Sequence, residues 1–385
     1  MLKRLIVLLS GSALVLGAAA TPTEAGIKVY EKEGKYVEIG GRLQLQYHRV
    51  DPDGGDSTDE IFFRRLRPYI AGSASKNWVG KFQFDIGKAS GSNEVAVKDA
   101  YLQYRGFEGV KLTLGNQKPP FSREFLTSSK RQQLIERSFT GDHNFGSPDR
   151  MIGLRVDGAN ESRKLTWAAS FGSAAFDPDA KKMDFDSPAN NDSDFNEGWL
   201  AAGRIDFHPL GKMKFDQGSF DSDTKFTLSL GAFSWSNDDD NNTFTSGGVS
   251  RSSSKADLDR ATGFELSGGF RSGGLSLDGE YQLIEGDTVD GSFTGGLYRS
   301  GTTELDIFAL EGGYIFNNRF EVVAGFDGLD ADNYPDAWTR TSFGVNYFWN
   351  KHKVKGQLSY RIGENLGGVE GADANEAFLQ FQFVF

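Results

Sequence analysis

Apolar and polar residues alternate with a period of two along much of the chain. The alternation is clearest in four segments, 42–48, 81–86, 275–283 and 342–349. Successive side chains of a β-strand point to opposite faces, so this period predicts strands with one apolar and one polar face. No run of about 18 apolar residues follows residue 25, so the sequence offers no transmembrane helix. A soluble sandwich shows the same alternation, and the connections must decide between the two.

The lengths of the connections favour a membrane barrel. Sixteen strands are predicted, at 36–49, 60–75, 78–88, 95–106, 110–117, 150–158, 162–173, 197–208, 223–236, 261–271, 274–285, 302–316, 319–328, 338–349, 352–363 and 375–385. Short and long connections alternate, with the segment 209–222 as the exception on the short side. Short turns at one rim and long loops at the other are typical of bacterial outer-membrane barrels. We therefore predict an all-β fold: one transmembrane antiparallel β-barrel of about 16 strands, with short periplasmic turns and long extracellular loops.

Aromatic residues are expected at both membrane interfaces, where amphipathic rings accumulate. The pattern places one group near the short-turn rim: Tyr36, Trp78, Phe107, Phe207, Phe316, Phe320 and Trp349. It places a second group near the long-loop rim: Tyr47, Phe62, Phe171, Trp235 and Trp338.

The C-terminal segment is the sharpest local motif. Leu379, Phe381, Phe383 and Phe385 alternate with smaller or polar residues, and the chain ends on Phe385. A soluble edge strand this aromatic would invite aggregation. The segment resembles the terminal signal by which the barrel-assembly machinery recognises outer-membrane proteins, and we expect it to close the barrel against the first strand.

The first 25 residues have the form of an export signal. Lys3 and Arg4 precede an apolar run, and small residues follow it. Cleavage is expected after Ala25, with Ala20 as the alternative. The absence of Cys at this exit excludes a lipoprotein. The sequence thus predicts a signal peptide over 1–25 and a single barrel domain over 26–385.

The amino-acid composition argues against several classes of function. The 385 residues include 48 Gly, 32 Phe, four His and no Cys, and the net charge is −11. Without Cys there is no disulfide scaffold or thiolate metal site, and a net acidic chain is a poor nucleic-acid binder. There is no His-Glu-x-x-His, Gly-x-Ser-x-Gly or Walker motif. We predict no enzyme activity, metal or cofactor; a Ser–His pair assembled across strands and an adhesin role for the long loops stay open.

Residues 36–160 resemble a known family. The segments that carry the resemblance begin with Phe62-Phe63-Arg64-Arg65-Leu66-Arg67 and include Val97-Lys98-Asp99-Ala100-Tyr101, Gly115-Asn116-Gln117-Lys118-Pro119-Pro120-Phe121 and Ile135-Glu136-Arg137-Ser138. They are similar to the phosphate-selective porin O and P family. The resemblance implies a sixteen-stranded trimeric porin for anions, with phosphate or polyphosphate as the best-known substrates.

Strand parity assigns fourteen basic and ten acidic side chains to the barrel interior, in a chain that is acidic overall. Rings of Arg and Lys select anions by replacing lost hydration with fixed donors. The predicted pore-lining residues are Arg42, Arg64, Arg65, Arg67, Lys81, Asp99, Arg105, Lys111, Lys118, Arg123, Lys130, Arg131, Arg155 and Arg204. Of these, parity places Arg64 in the outer register near the rim, together with Phe62 and Leu66. A water-filled lumen normally holds charges of both signs, so an incidental excess is the competing interpretation.

The longest connection, 118–149, differs from the other long loops because its net charge is +1 and theirs is negative. Residues 129–139 have helix-forming composition, with Ser128 or Ser129 as a possible N-cap. By resemblance, the third long loop of a porin folds into the lumen and narrows it. We expect 118–149 to be such a constriction loop, against the alternative of a solvated surface helix.

Taken together, the sequence predicts an outer-membrane porin of a Gram-negative bacterium. It would pass small hydrophilic solutes by diffusion and prefer anions of the phosphate or polyphosphate class. The expected partners are outer-membrane lipid and lipopolysaccharide, the barrel-assembly machinery, small anionic solutes and two further copies in a homotrimer, and no nucleic acid. The alternative is a general or carbohydrate-type porin whose lumen charge is incidental.

Overall fold

The computed structural model describes residues 26–87, 95–178, 183–186, 198–236, 258–288, 297–298 and 301–385. The predicted signal peptide therefore lies outside the described residues. The strands are β1 (Ile27–Lys32), β2 (Lys35–Pro52), β3 (Thr58–Ser75), β4 (Trp78–Asp85), β5 (Ala96–Phe107), β6 (Val110–Gln117), β7 (Met151–Ala159), β8 (Leu165–Ser173), β9 (Ala175–Pro178), β10 (Met183–Asp186), β11 (Trp199–Phe207), β12 (Lys225–Ser236), β13 (Leu258–Ser272), β14 (Leu275–Thr288), β15 (Thr302–Phe316), β16 (Phe320–Ala331), β17 (Trp338–Asn350), β18 (Val354–Glu364) and β19 (Ala374–Val384).

Sixteen of these strands close into one antiparallel barrel. Each strand from β2 to β8 and from β11 to β19 pairs with its neighbour in sequence, β8 pairs with β11, and β19 pairs back onto β2. Closure leaves no free sheet edge in the ring. The predicted all-β barrel of about 16 strands is confirmed, and every predicted strand is present with its ends shifted by a few residues. Among the described residues, no helix is long and apolar enough to cross a membrane.

Three strands were not predicted. β1 forms a hairpin with the start of β2, with Ile27 paired to Ile39. β1 extends the barrel wall on the periplasmic side of Phe385. The backbones of Phe385 and Gly41 exchange two hydrogen bonds, at 2.9 and 3.1 Å. β9 and β10 form a separate hairpin beyond the long-loop rim.

The short turns adopt the geometry that tight hairpins require. Gly273 and Gly274 link β13 to β14 with φ of 53° and 99°, and Asn317 and Asn318 open the turn between β15 and β16 with φ of 51° and 57°. Such left-handed pairs match the twist of the strands that they join, and Gly and Asn tolerate them best. The segment 208–224, between β11 and β12, is the long exception at this rim.

The outer surface carries a continuous apolar band. Along the sixteen barrel strands, exposed apolar side chains outside largely alternate with buried polar ones inside, as in β4, where Phe82 is exposed and Lys81 and Gln83 are buried. Most of the predicted short-turn girdle is exposed on this surface, including Trp78, Phe207 and Trp349.

The predicted long-loop girdle is partly wrong. Trp235 is 1% exposed and points inward, where its Nε1 donates to the Ala174 carbonyl. Trp338 packs inside the barrel against Phe139 and Phe145, at centroid distances of 4.8 and 5.3 Å. Both belong to an apolar core that fills part of the barrel interior below the extracellular rim. A position near a strand end does not show whether an aromatic side chain faces an internal core or the membrane interface.

The predicted helix over 129–139 is also wrong. The loop 118–149 contains only a one-turn helix, α1 (Arg123–Leu126), and two 3-10 turns at 129–131 and 139–141. Ser122 caps α1, and its Oγ accepts from the Phe125 amide at 3.0 Å. Gln132 has φ of −82° and ψ of 149°, which is an extended conformation. The extended chain makes its hydrogen bonds to the barrel wall instead, as the next subsection describes.

Candidate functional site: a two-sided lumen

The loop 118–149 crosses the barrel interior and is fastened to the far wall. The amides of Arg123 and Glu124, which open α1, donate to Glu265 on β13 at 3.0 Å and to Glu280 on β14 at 2.9 Å. A carboxylate at a helix start is stabilised by the free amides there. The loop therefore lies inside the lumen and divides it into two sides. We call the side along β12–β19 the closed half, and the side along β2–β8 and β11 the open half.

The closed half is packed with polar contacts. Gln133, which is fully buried, donates to Glu321 at 2.7 Å and to Ser276 at 2.8 Å. Its carbonyl accepts from Asn346 at 2.8 Å and from Gln357 at 2.9 Å. The cavity between the loop and this wall is only about 30 Å³, and a cavity of about 410 Å³ lies at the periplasmic end of the closed half.

Acidic side chains predominate around this small cavity. Its charged lining residues are Glu124, Asp278, Glu280, Glu311 and Asp327, with Arg123 and Arg361 as the bases. Most of these carboxylates accept hydrogen bonds from loop backbone or from arginines, such as Asp327 from Arg340 at 2.6 and 2.8 Å. These carboxylates of the closed half thus hold the inserted loop against the barrel wall.

The open half contains a cavity of about 820 Å³, which we call the upper cavity. It is lined by Arg42, Arg64, Arg65, Arg67, Lys81, Lys98, Lys111, Lys118, Arg137, Arg150 and Arg155 as bases, and by Asp99, Glu136, Asp142, Asp149 and Asp157 as acids. Eleven bases thus face five acids.

A second cavity of about 720 Å³, the lower cavity, lies towards the periplasmic rim. Its ten bases are Arg105, Lys111, Arg123, Lys130, Arg131, Arg155, Arg163, Arg204, Lys212 and Lys214. Only Asp157 and Asp206 are acidic there. The two cavities share part of their lining and so adjoin along the open half; together they are called the passage.

The structure places every predicted pore-lining residue on one of these two cavities. Arg42, Arg64, Arg65, Arg67, Lys81, Asp99, Lys111, Lys118 and Arg155 line the upper one. Arg105, Arg123, Lys130, Arg131 and Arg204 line the lower one, together with Lys111 and Arg155. Their part in conducting anions stays a prediction.

One placement corrects the strand parity. Gln44 pairs with Arg65 but the next residue, Leu45, pairs with Phe63, so Arg64 is the extra residue of a β-bulge. The bulge turns Arg64 into the lumen beside Arg65 and also turns Phe62 inward, onto a cavity at the extracellular rim. The outer register expected for Arg64 and Phe62 is therefore wrong.

A second bulge adds a base that the sequence reasoning missed. Gln83 pairs with Asp99 and Phe84 pairs with Val97, so Lys98 is the extra residue and faces the upper cavity. Two adjacent charged residues in an otherwise alternating strand are the signal common to Arg64-Arg65 and Lys98-Asp99. Other bases missed are Arg150, Arg163, Lys212 and Lys214, which lie outside the strands.

The bases of the upper cavity are mostly held by carboxylates. Arg67 pairs with Asp85 at 2.5 Å, and Lys81 and Arg150 pair with Asp99 at 2.9 and 3.0 Å. Arg65 donates to Gln44 at 3.2 Å instead of to an acid.

Glu136 fixes the loop 118–149 to the bulge. Arg64 donates to both Glu136 oxygens, at 2.7 and 3.1 Å, and Gln46 donates at 3.1 Å. Burial alone would raise the pKa of Glu136, but the Arg64 and Arg65 guanidiniums hold that pKa well below its usual range. The carboxylate therefore stays ionised, and this bidentate contact positions the loop against the open half.

The lower cavity differs because many of its bases have no partner. In the described part of the chain, the side chains of Lys111, Arg131, Arg163, Lys212 and Lys214 make no hydrogen bond or ion pair. Lys111, Arg163, Lys212 and Lys214 are exposed to the lumen or its mouth. These cations are available to a mobile anion.

The predicted assembly motif lies on the last strand. Leu379, Phe381, Phe383 and Phe385 face outward and are 42–55% exposed. β19 pairs with β2 from Arg42 to Pro52 and so forms the closing seam of the barrel. Recognition by an assembly factor stays a prediction.

A closed antiparallel barrel with an apolar exterior, a polar passage and an inserted loop defines an outer-membrane porin. The chain belongs to the phosphate-selective porin O and P family, whose model matches residues 37–385. This membership confirms the predicted family, the outer-membrane location and the channel class, and an anion-preferring channel agrees with it.

Individual relatives match less completely. Porin O of Pseudomonas aeruginosa is 34% identical over 121 residues, which are 30% of this chain and 28% of that relative. An anion-selective porin from Comamonas acidovorans superimposes with a TM-score of 0.59 at 13% identity, over 91% of this chain and all of that one. A trimer form of OmpT from Vibrio cholerae gives a TM-score of 0.57 at 15% identity, over 91% and 100%. These two structures support the fold.

Proposed function

We propose that this porin conducts small hydrophilic anions of the phosphate class along the open half of its lumen. One observation carries the proposal: both cavities of the passage have a large excess of bases, eleven against five acids and ten against two. In the closed half, carboxylates such as Glu265 and Glu280 hold the inserted loop. The local sign of the passage is therefore positive although the chain is acidic overall.

Paired bases in the upper cavity and unpaired bases in the lower cavity together suit the passive diffusion of anions. An anion that leaves water needs fixed donors in place of its hydration shell, but it must not bind so tightly that it stays. In the upper cavity the paired guanidiniums hold a positive wall in place. In the lower cavity Lys111, Lys212 and Lys214 are exposed, and exposed charges attract weakly because solvent screens them.

The alternative is a general or carbohydrate-type porin with little charge preference. Each cavity of the passage has only three Phe, Tyr or Trp residues in its lining, Phe215 among them. The bases number eleven in one lining and ten in the other. The geometry thus favours an anion path over a sugar path.

Three further statements belong to the proposal. The protein works as a channel and not as an enzyme, as its family suggests. It assembles as a homotrimer, which the trimer form of a structural relative supports. It is inserted by the barrel-assembly machinery, with β19 as the recognised strand, and is embedded in outer-membrane lipid and lipopolysaccharide.

The test is the reversal potential of the purified protein in a planar bilayer under a KCl gradient. The wild type should favour chloride over potassium. Lys111→Gln combined with Arg131→Gln should lower the anion-to-cation permeability ratio roughly twofold or more, because two unpaired lumen cations are lost. Lys164→Gln is the matched control, since Lys164 is exposed but lines neither cavity.

Phosphate added to the chloride solution extends the test to the solute. A phosphate-class pore should show a fall in chloride current as phosphate occupies the passage, and the effect should weaken in the double variant. A wild type without anion preference, or a double variant equal to the Lys164 control, would move the assignment to the general porin.

A further inference from the structure

The connection 208–224 is long for the periplasmic rim, and it does not hang below the barrel. It turns back into the lumen, and Met213, Gln217 and Ser219 are only 4–5% exposed. The other turns at this rim have two to five residues, such as Gly273-Gly274. The extra residues of 208–224 therefore build something inside the barrel.

Several contacts fix this inward position. The Gln217 amide donates to the Arg131 carbonyl at 3.1 Å, and the Gln133 amide donates to Gln217 Oε1 at 2.9 Å. Arg131 and Gln133 belong to the loop 118–149, so the two inserted segments meet in the middle of the lumen. On the wall side, His352 Nε2 lies 3.0 Å from the Gln217 carbonyl, and Arg271 donates to the Asp216 carbonyl.

Phe215 stands where the upper and lower cavities join. Six residues line both cavities, and besides Phe215 they are Lys111, Leu126, Ser128, Arg155 and Asp157. Phe215 alone among them comes from the periplasmic side, and Leu126 and Ser128 come from the loop 118–149. The neck of the passage is thus closed by one loop from above and one from below.

The ring of Phe215 also covers two arginines. The guanidinium carbons of Arg123 and Arg204 lie 5.8 and 5.3 Å from its centroid. Both arginines are paired, Arg123 with Asp278 at 3.0 Å and Arg204 with Glu265 at 2.6 Å. The two cation–π contacts hold the ring in place at the edge of the passage.

Below the neck, the same segment supplies two exposed bases. Lys212 and Lys214 line the lower cavity, and neither has a hydrogen bond or ion pair in the described residues. They flank Met213, which is buried and anchors the segment between them. Both ammonium groups therefore stand at the periplasmic end of the basic passage.

We infer that the segment 208–224 is a second constriction element, entering from the periplasmic side, in which Phe215 sets the width of the neck and Lys212 and Lys214 supply positive charge at the exit. The charge part rests on the proposed function, whereas the width part does not. A solute that moves from the upper to the lower cavity passes Phe215, so the size of this side chain would limit which solutes take that route.

The test of width compares single-channel conductance and solute size. Phe215→Ala should raise the conductance roughly twofold and admit larger uncharged solutes in liposome swelling, since a wider segment limits flow less. Leu210→Ala is the control, because Leu210 lies in the same segment but is 57% exposed and lines neither cavity. Replacement of residues 210–223 by Asn-Gly should raise the conductance further.

The test of charge uses Lys212→Gln with Lys214→Gln. This variant should keep the wild-type size limit but lower the anion-to-cation permeability ratio, and it should do so more when dilute salt bathes the periplasmic side. Lys164→Gln again serves as the control.

The outcomes separate the two proposals. A wild-type pore without anion preference overturns the proposed function, yet a conductance increase in Phe215→Ala still supports the neck. Wild-type conductance and size limit in Phe215→Ala overturn the neck, whether or not the shortened variant assembles. A charge variant with the reversal potential of its control overturns the role of Lys212 and Lys214.

Discussion

The two halves of the lumen use charge in opposite ways. In the closed half, carboxylates such as Glu265 and Glu280 accept hydrogen bonds from the backbone of the inserted loop, so the negative charge is consumed in holding structure. In the open half, several bases of the lower cavity, such as Lys111 and Lys212, have no side-chain hydrogen bond or ion pair among the described residues. A lumen with charges of both signs can therefore be selective, because only the charges that remain accessible act on a passing ion.

The halves also differ in what fills them. In the closed half, the cavity between loop and wall measures about 30 Å³ and a second one at the periplasmic end about 410 Å³, against about 820 and 720 Å³ in the open half. The inserted loop packs against the wall of the closed half and leaves space along the wall of the open half. A buried polar network loses stability when one of its members is removed. Single substitutions among the wall residues that hold the loop should therefore lower the stability of the protein.

The largest effect is expected from loosening the loop. Phe139 is fully buried, packs edge-to-face against Phe145 at a centroid distance of 5.0 Å, and its ring centroid lies 3.4 Å from the Arg340 guanidinium carbon. Phe139→Ala should remove about 3 kcal/mol of local packing, release this end of the loop and let ions into the closed half. Bilayer recordings should then show a higher and noisier open-channel current, and the melting temperature should fall.

The control for this variant is Phe343→Ala on the outer face of β17, where the ring is 50% exposed. A quiet channel of unchanged conductance in Phe139→Ala, despite a lowered melting temperature, would show that the loop stays seated without its apolar anchor.

A smaller effect is expected from the arginines that the sequence singled out. Arg67 is paired with Asp85, and Arg65 is 5% exposed. Their joint replacement by Ala should lower the anion-to-cation permeability ratio by less than the Lys111→Gln, Arg131→Gln variant does, because Asp85 already balances one of the two charges. Reversal potentials at low salt compare the two variants directly. A larger shift for the Arg65 and Arg67 pair would mean that the upper cavity, and not the lower one, sets selectivity.

The smallest effect is expected inside the closed half. Glu311 is half-buried there, and its buried Oε1 has no hydrogen-bond partner within the described structure. Glu311→Gln keeps the shape and removes the charge, so the reversal potential should stay at the wild-type value if no ion passes that side. A shift in reversal potential as large as that of Lys111→Gln alone would show that ions also pass through the closed half.

The strands were predictable because lipid outside and water inside impose a strict period of two. Phe82 and Lys81 could be assigned to opposite faces from the alternation alone. The failures occurred where that rule is locally broken. The bulge at Arg64 reverses the parity of Phe62, and Trp235 obeys the alternation but faces an apolar core that no lipid rule describes.

The loops were less predictable for a different reason. Residues 129–139 have the composition of a helix, yet their backbone groups find partners such as Asn346 and Lys355 on the wall and need no helix. Tertiary partners of this kind come from distant strands and leave no local signature. The same holds for Lys212 and Lys214, whose segment was visible only as an unusually long connection.

The two bulges make the strands unequal in their tolerance of insertions and deletions. In a regular strand, the loss of one residue moves every following side chain to the opposite face. At Arg64 or Lys98 the extra residue is not matched across the sheet, so its loss would restore regular pairing and leave every neighbour facing as before. Each bulge is thus a place where a single codon can be gained or lost without reversing the strand, at the cost of one lumen charge and its ion pair, with Glu136 for Arg64 and with Asp149 for Lys98. Length variation among related barrels should concentrate at these two positions within β3 and β5.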